Sequence, residues 1–192
     1  MVTKEPKGSW MPIDRDERAT VVLQSRRPQK VLVEFVNTLA DPTVFDQLYE
    51  LAQKGPTEFQ LVMPIVRPDY GLAWTDAQAK RDADNQLAIM LEFMARAGMS
   101  VAGEVRPEAP KEAVVKVARG PEGPFDKIVA IWRERKYRWL YGGVREQLED
   151  ELGIPVESLH VEPPVAHSNV EDPDHLRTLF EEYASRLGWK IA

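Results

Sequence analysis

Val31-Leu32-Val33-Glu34-Phe35-Val36 is the stretch whose reading decides the fold of this chain. It is a nearly continuous apolar run of strand length, rich in β-branched residues. Such a run suits a strand buried on both faces, as strands of parallel sheets are. Asn37-Thr38-Leu39-Ala40 follows as a short loop, and Asp41-Pro42 then reads as an N-cap with Pro in the first helical turn. Val44, Phe45, Leu48, Leu51 and Ala52 keep helical spacing, and Gly55 ends that helix.

Beyond it, strand and helix alternate. Phe59 to Val66 is a second buried strand, followed by a loop from Arg67 to Trp74. Thr75-Asp76-Ala77-Gln78 has capping-box form and opens a helix with Leu87, Met90, Leu91, Met94 and Ala97 on one stripe, stopped by Gly98. Met99 to Val105 is a shorter, more alternating strand, which points to a sheet edge. Pro110 begins a helix with Ala113, Val114 and Val117 inside, closed by Gly120. Phe125 to Trp132 is a fourth strand, Val144 to Leu152 a helix closed by Gly153, and Pro155 to Val161 a fifth strand. Parallel strands joined by helical crossovers meet this pattern most simply, giving a doubly wound α/β fold with a five-stranded parallel sheet. Residues 1–29 read as an extended arm, 30–162 as the α/β domain, and 163–192 as a helical tail. In the tail, Ser168-Asn169-Val170-Glu171 is another capping box, and Leu176, Leu179, Phe180, Tyr183 and Leu187 form an apolar stripe before Gly188.

Composition narrows the function. The chain has 192 residues, 43% hydrophobic and 29% charged, which excludes a wholly disordered protein. With no cysteine, a disulfide scaffold, a thiolate zinc site and a Cys nucleophile are excluded. No run approaches the roughly 20 apolar residues needed to cross a bilayer, and Met1 to Lys30 lacks the apolar core of a signal peptide, so a cytoplasmic location is expected. Residues 1–30 carry seven Lys/Arg against four Asp/Glu, whereas residues 157–192 carry three against seven, so a basic arm and an acidic tail flank the body. His160, His167 and His175 match no compact metal-ligand motif and read as solvated tail residues, so no metal is expected. Asp82/Asp84 and Glu149/Asp150/Glu151 read as solvated helix faces, and no nucleophile–base pair stands out.

In an open parallel sheet, ligands sit beyond the carboxyl ends of the strands where the strand order reverses. The segments there are Val36, Asn37 and Thr38 after the first strand, Met63 at the second, and Trp132 through Gly143 after the fourth. The stretch from Gly142-Gly143 through Leu148 and Gly153 to Pro155-Val156 resembles the universal stress protein superfamily. There a Gly-Ser or Gly-Thr pair opens the last helix, and Pro-Val begins the last strand. Asp126-Lys127-Ile128-Val129-Ala130 is similar to the family's Asp-x-Ile-Val-x strand. The likeness spans about residues 30–162 and implies a Rossmann-like sheet of strand order 3-2-1-4-5.

ATP-binding members of that family carry Gly-x2-Gly-x9-Gly-Ser/Thr, in which backbone amides and a hydroxyl hold phosphates. Counted back from Gly142, the first two glycine positions fall on Val129 and Trp132; counted forward from the strand, on Ile131 and Glu134. Gly143 takes the hydroxyl position, and the adenine-facing acid falls on Val36 or Asn37. The resemblance therefore implies no catalysis and disfavours ATP or another adenine nucleotide, and no cofactor is expected. Candidate ligand contacts are Val36, Asn37, Thr38, Met63, Trp132, Gly142 and Gly143.

The loop itself, Trp132-Arg133-Glu134-Arg135-Lys136-Tyr137-Arg138-Trp139-Leu140-Tyr141, is basic and aromatic. With Arg145 just beyond, Arg133, Arg135, Lys136 and Arg138 form a candidate anion or nucleic-acid surface. The preferred reading docks Trp139, Leu140 and Tyr141 on the sheet while the cations reach outward. The expected function is non-enzymatic, through self-association or a protein partner. The resemblance implies a homodimer through the last-strand edge, to which arm and tail add wrapping segments. A nucleotide or anion sensor at the carboxyl ends, and a nucleic-acid or ribosome binder through the basic loop, are the alternatives. No membrane partner is expected.

Overall fold

The computed structural model describes residues 27–35, 42–65, 75–132, 138–160 and 173–186. The strands are β1 (Gln29–Phe35), β2 (Thr57–Pro64), β3 (Ser100–Arg106), β4 (Lys127–Trp132) and β5 (Val156–His160). The helices are α1 (Pro42–Gln53), α2 (Asp76–Arg96), α3 (Pro110–Ala118), α4 (Arg138–Leu152) and α5 (Pro173–Arg186). All strand pairings are parallel, in the order β3-β2-β1-β4-β5. β1 is thus the central strand, and Val31 through Phe35 are each at most 2% exposed. β3 lies at an edge, as its alternating pattern implies.

Side chains along each strand alternate between two apolar layers. Val33, Phe35, Leu61, Met63, Val129 and Ile131 meet Phe45 of α1, Met90 and Phe93 of α2, and Phe180 of α5. Leu32, Val62, Ile128 and Ala130 meet Ala113, Val114 and Val117 of α3 and Leu148 of α4. The strand entry is pinned by Asp126, whose carboxylate accepts from the Lys30 N–H at 2.9 Å and whose own N–H donates to the Lys30 carbonyl at 2.8 Å.

The capping box of α2 forms as its sequence requires: Thr75 Oγ1 accepts from Gln78 N–H at 3.2 Å, and Gln78 Oε1 accepts from Thr75 N–H at 2.8 Å. The helix is followed by Gly98 at φ +78°, a conformation that favours glycine. Several boundaries differ from the sequence reading, β1 beginning at Gln29 rather than Val31 and β2 running from Thr57 to Pro64 rather than from Phe59 to Val66. β4 begins at Lys127, and Phe125, although outside the strand, is buried. α4 begins at Arg138, six residues ahead of the expected Val144, so Gly142 and Gly143 lie inside the helix rather than opening it. Arg138-Trp139-Leu140-Tyr141 contains no helix breaker, and two interior glycines cost about 1 kcal/mol each, which the rest of the helix absorbs.

The tail helix folds back on its own subunit. Phe180 stacks on Phe93 with ring centroids 4.9 Å apart and meets Phe45 edge-on at 6.1 Å, and Ala184 is buried beside it. Arg177 pairs with Glu92 at 3.6 Å and Glu181 with Arg96 at 3.6 Å, which sets α5 parallel to α2. Leu187, and the side chains of Leu176, Leu179 and Tyr183, lie outside the described residues.

Sheet and helix approach closely at Gly103, where an added Cβ would lie 3.0 Å from both Leu61 Cβ and Leu87 Cδ1. Gly103→Ala is expected to destabilise the fold by about 1–3 kcal/mol through overpacking. Urea denaturation checks this, and an unchanged midpoint contradicts the packing argument.

Candidate functional site

Three elements converge where the strand order reverses: the carboxyl ends of β1 and β4, and the amino end of α4. The site is built on Glu34, the penultimate residue of β1. Its neighbours in register are Val62 on β2 and Ala130 on β4, and it shares a face with Leu32 under the α3–α4 layer. Glu34 is 2% exposed, and Oε1 meets no hydrogen-bond donor among the described residues. Burial without a compensating partner disfavours the charged form and pushes the carboxyl up to about 7. It is the sole charged residue of the run that identifies the central strand. That exception was the available signal, and the apolar pattern around it hid it.

The nearest acid in the same row is Glu104, in register with Val62. Two strand spacings put its Cα about 10 Å from that of Glu34. Glu104 is held by Arg106 at 3.0 Å, and Arg106 also binds Glu108 at 3.1 Å. Glu108 additionally accepts from Lys116 of α3. The Lys116 and Arg106 hydrogen bonds hold the Glu108 carboxyl down at about 2. Arg106, a cation on this face of the sheet, is therefore occupied by other carboxylates.

Of the residues expected to contact a ligand, Met63 is 3% exposed and packs in the opposite apolar layer, among the α1 and α2 side chains. Val36, Asn37 and Thr38 lie outside the described residues, as do Arg133, Arg135 and Lys136. Trp132 ends β4, and Arg138 opens α4. Gly142 and Gly143 are the fifth and sixth residues of that helix. A Cβ at Gly143 would meet only Gln147 Nε2, at 3.7 Å, so packing within the chain does not require glycine there. Arg145 is exposed and lies 3.5 Å from Glu149 Oε1, an atom that also accepts the Val156 N–H at 2.9 Å. The fold thus brings Glu34, Met63, Trp132 and the start of α4 to one end of the sheet, with Met63 on the opposite face from Glu34, and it places Arg145 further along α4, paired with Glu149.

Among the described residues no group of three or more His, Asp or Glu side chains is placed to hold a metal ion. No described helix is long and apolar enough to cross a membrane. An open depression lined by Pro28, Gly55, Glu58, Met99 and Ser100 lies at the amino ends of β2 and β3, the far end from Glu34.

No protein-family model matches the chain, and no curated protein matches it. Among solved structures it matches the crystal structure of a protein from the universal stress protein family from Burkholderia pseudomallei. The TM-score is 0.50 and the sequence identity 19%, over 68% of this chain and 95% of that one. The fold is universal-stress-protein-like. At that identity the likeness speaks to architecture: an α/β fold with a five-stranded parallel sheet of order 3-2-1-4-5.

Two outcomes follow from this geometry. The native state holds the Glu34 proton to about pH 7, whereas an unfolded chain releases it near 4.5. Between those values the native state binds more protons, so this group's contribution falls as pH rises, by about 3 kcal/mol in all. The stability of Glu34→Gln relative to wild type should rise by that amount from pH 4.5 to above 7 in urea titrations; a flat difference contradicts it. Gly143→Ala should stabilise α4 by up to about 1 kcal/mol, read as a raised Tm.

Proposed function

We propose that this protein acts by association on a universal-stress-protein-like scaffold, without catalysis and without holding a triphosphate as ATP-binding members of that family do. One observation carries the reading: α4 begins at Arg138, one turn ahead of Gly142-Gly143. The amides free to cradle an anion at a helix start are those of its first turn. Here they belong to Arg138, Trp139, Leu140 and Tyr141, none of which is the glycine that lets a phosphate approach the backbone closely. The buried carboxyl of Glu34 at the same end of the sheet offers phosphate nothing favourable in its charged form.

The edge of β5 supports association. In the parallel β4–β5 ladder, Ile128 N–H donates to the Pro155 carbonyl, so the Val156 and Ser158 N–H groups point away from β4. Glu149 takes up Val156, and Ser158 is exposed beyond it. Edge strands with outward amides invite pairing, and a second β5 is the partner of matching geometry. Part of the tail's apolar stripe is covered within its own subunit, so the edge carries more of this reading than the tail does.

Sedimentation velocity at micromolar concentration is expected to give a dimer. Ser158→Pro should shift it to monomer while leaving the β4 ladder intact, because Pro removes only an outward donor. Calorimetric titration with ATP, cyclic AMP, inorganic phosphate and a short single-stranded RNA should show no saturable heat. A monomeric wild type overturns association, and ATP binding overturns the triphosphate argument. Phosphate or RNA binding would favour an anion site at the start of α4 instead.

A further inference from the structure

Association through β5 leaves the meeting of two such edges to be decided, and the turn from α4 into β5 bears on it; the inference rests on that reading. Glu149, in the last turn of α4, holds both sides of this turn. Its backbone carbonyl accepts the Gly153 N–H at 2.8 Å, with Gly153 at φ +64°, and its Oε1 accepts the Val156 N–H at 2.9 Å. Arg145, one turn earlier, lies 3.5 Å from the same oxygen. A carboxylate therefore sits on the first outward amide of β5, in the path that a further strand would take. Charged side chains set against an edge are a means by which sheets limit edge pairing.

The outward backbone groups beyond it are those of Ser158 and His160, because the Glu157 and Leu159 N–H groups face β4. Ser158 is exposed, and Leu159 is only partly covered by the α1, α2 and α5 layer. Two copies of this strip related by a two-fold axis pair antiparallel, and the axis has three places to fall. On Glu157 it sets that carboxylate opposite its own copy, which is unfavourable. On Ser158 it sets Val156 opposite the second copy's His160, whose carbonyl then needs the Val156 N–H. The Glu149 carboxylate already fills that place and repels the carbonyl oxygen. On Leu159 the axis matches Ser158 with the second copy's His160 through both N–H groups and both carbonyls, and it faces the two Leu159 side chains as an apolar pair. Because β5 ends at His160, this ladder stops before it reaches Val156.

We propose that Glu149 selects the register in which two copies pair: by holding the Val156 N–H it closes the amino end of the β5 edge and centres the dimer on Leu159. Without it the axis moves to Ser158, where the freed amides of the two copies add two hydrogen bonds to the ladder.

The chain has no cysteine, so single introduced thiols report the register without background. Directly opposed residues of antiparallel strands lie about 4.5–5.5 Å apart at Cα, within disulfide reach, whereas diagonal neighbours lie about 7–8 Å apart and outside it. On mild oxidation of the full-length dimer, Leu159→Cys should cross-link and Ser158→Cys should not. With Glu149→Ala added, the two should exchange behaviour. With Glu149→Gln, which keeps an acceptor for Val156, they should not. Hydrogen exchange gives a readout without thiols. As protein concentration rises, exchange at the Ser158 amide should slow in the wild type while that at Val156 stays constant, and in Glu149→Ala both should slow. A dimer whose cross-links are the same with and without Glu149, or that cross-links at neither position, overturns the register proposal and leaves association standing, as does Val156 exchange that ignores concentration in Glu149→Ala. A chain that sediments as a monomer in every background overturns both.

Discussion

Covering β1 on both faces is the constraint from which the rest of the structure follows. A central parallel strand has no solvent side, so every residue from Val31 to Phe35 needs a packed neighbour above or below the sheet. Helices α1, α2 and α5 supply one layer, and α3 and α4 the other. Each crossover connection is the means by which a helix reaches a face. Full burial of its four apolar side chains, Val31, Leu32, Val33 and Phe35, stabilises by several kcal/mol in sum. It also makes any polar atom among them expensive.

Glu34 is that polar atom, and its position explains why the carboxyl end of the sheet differs chemically from the rest of the core. An open parallel sheet keeps this end for ligands because the chain parts there in opposite directions. Here the parting contains an acid pressed against aliphatic neighbours and a helix whose glycines stand one turn inside it. A triphosphate needs open amides and positive surroundings. Arg106, the nearby cation, is already divided between Glu104 and Glu108, so the sheet's ion pairs stabilise its edge and leave its centre unanswered.

The tail helix shows how an appended segment becomes part of a core. Phe180 inserts between Phe45 and Phe93, completing a cluster of three rings on the outside of α1 and α2. The flanking pairs Glu92–Arg177 and Arg96–Glu181 are exposed and contribute little energy. They fix register and direction, and the aromatic contact supplies the stabilisation.

The strands, most helix ends, the edge position of β3 and the sheet class were legible in the chain because they depend on local patterns. Apolar runs of strand length, the Thr75–Gln78 box and Gly98 each act within a few residues. The start of α4 was not legible, since Gly142-Gly143 looks like a helix opening, whereas the helix runs on ahead of it through Arg138 to Tyr141, where no residue breaks it. Met63 carried no mark of the layer it faces until register with β1 and β3 assigned it one. Glu34 was visible as a letter but not as an orphan, because being without a partner depends on where Arg106, Lys116 and Arg145 spend their charge. Sequence determined which segments are strands and helices, as period and capping are properties of neighbours along the chain. Tertiary structure alone decided which face each side chain occupies and which charges meet, as those depend on contacts between residues far apart in it.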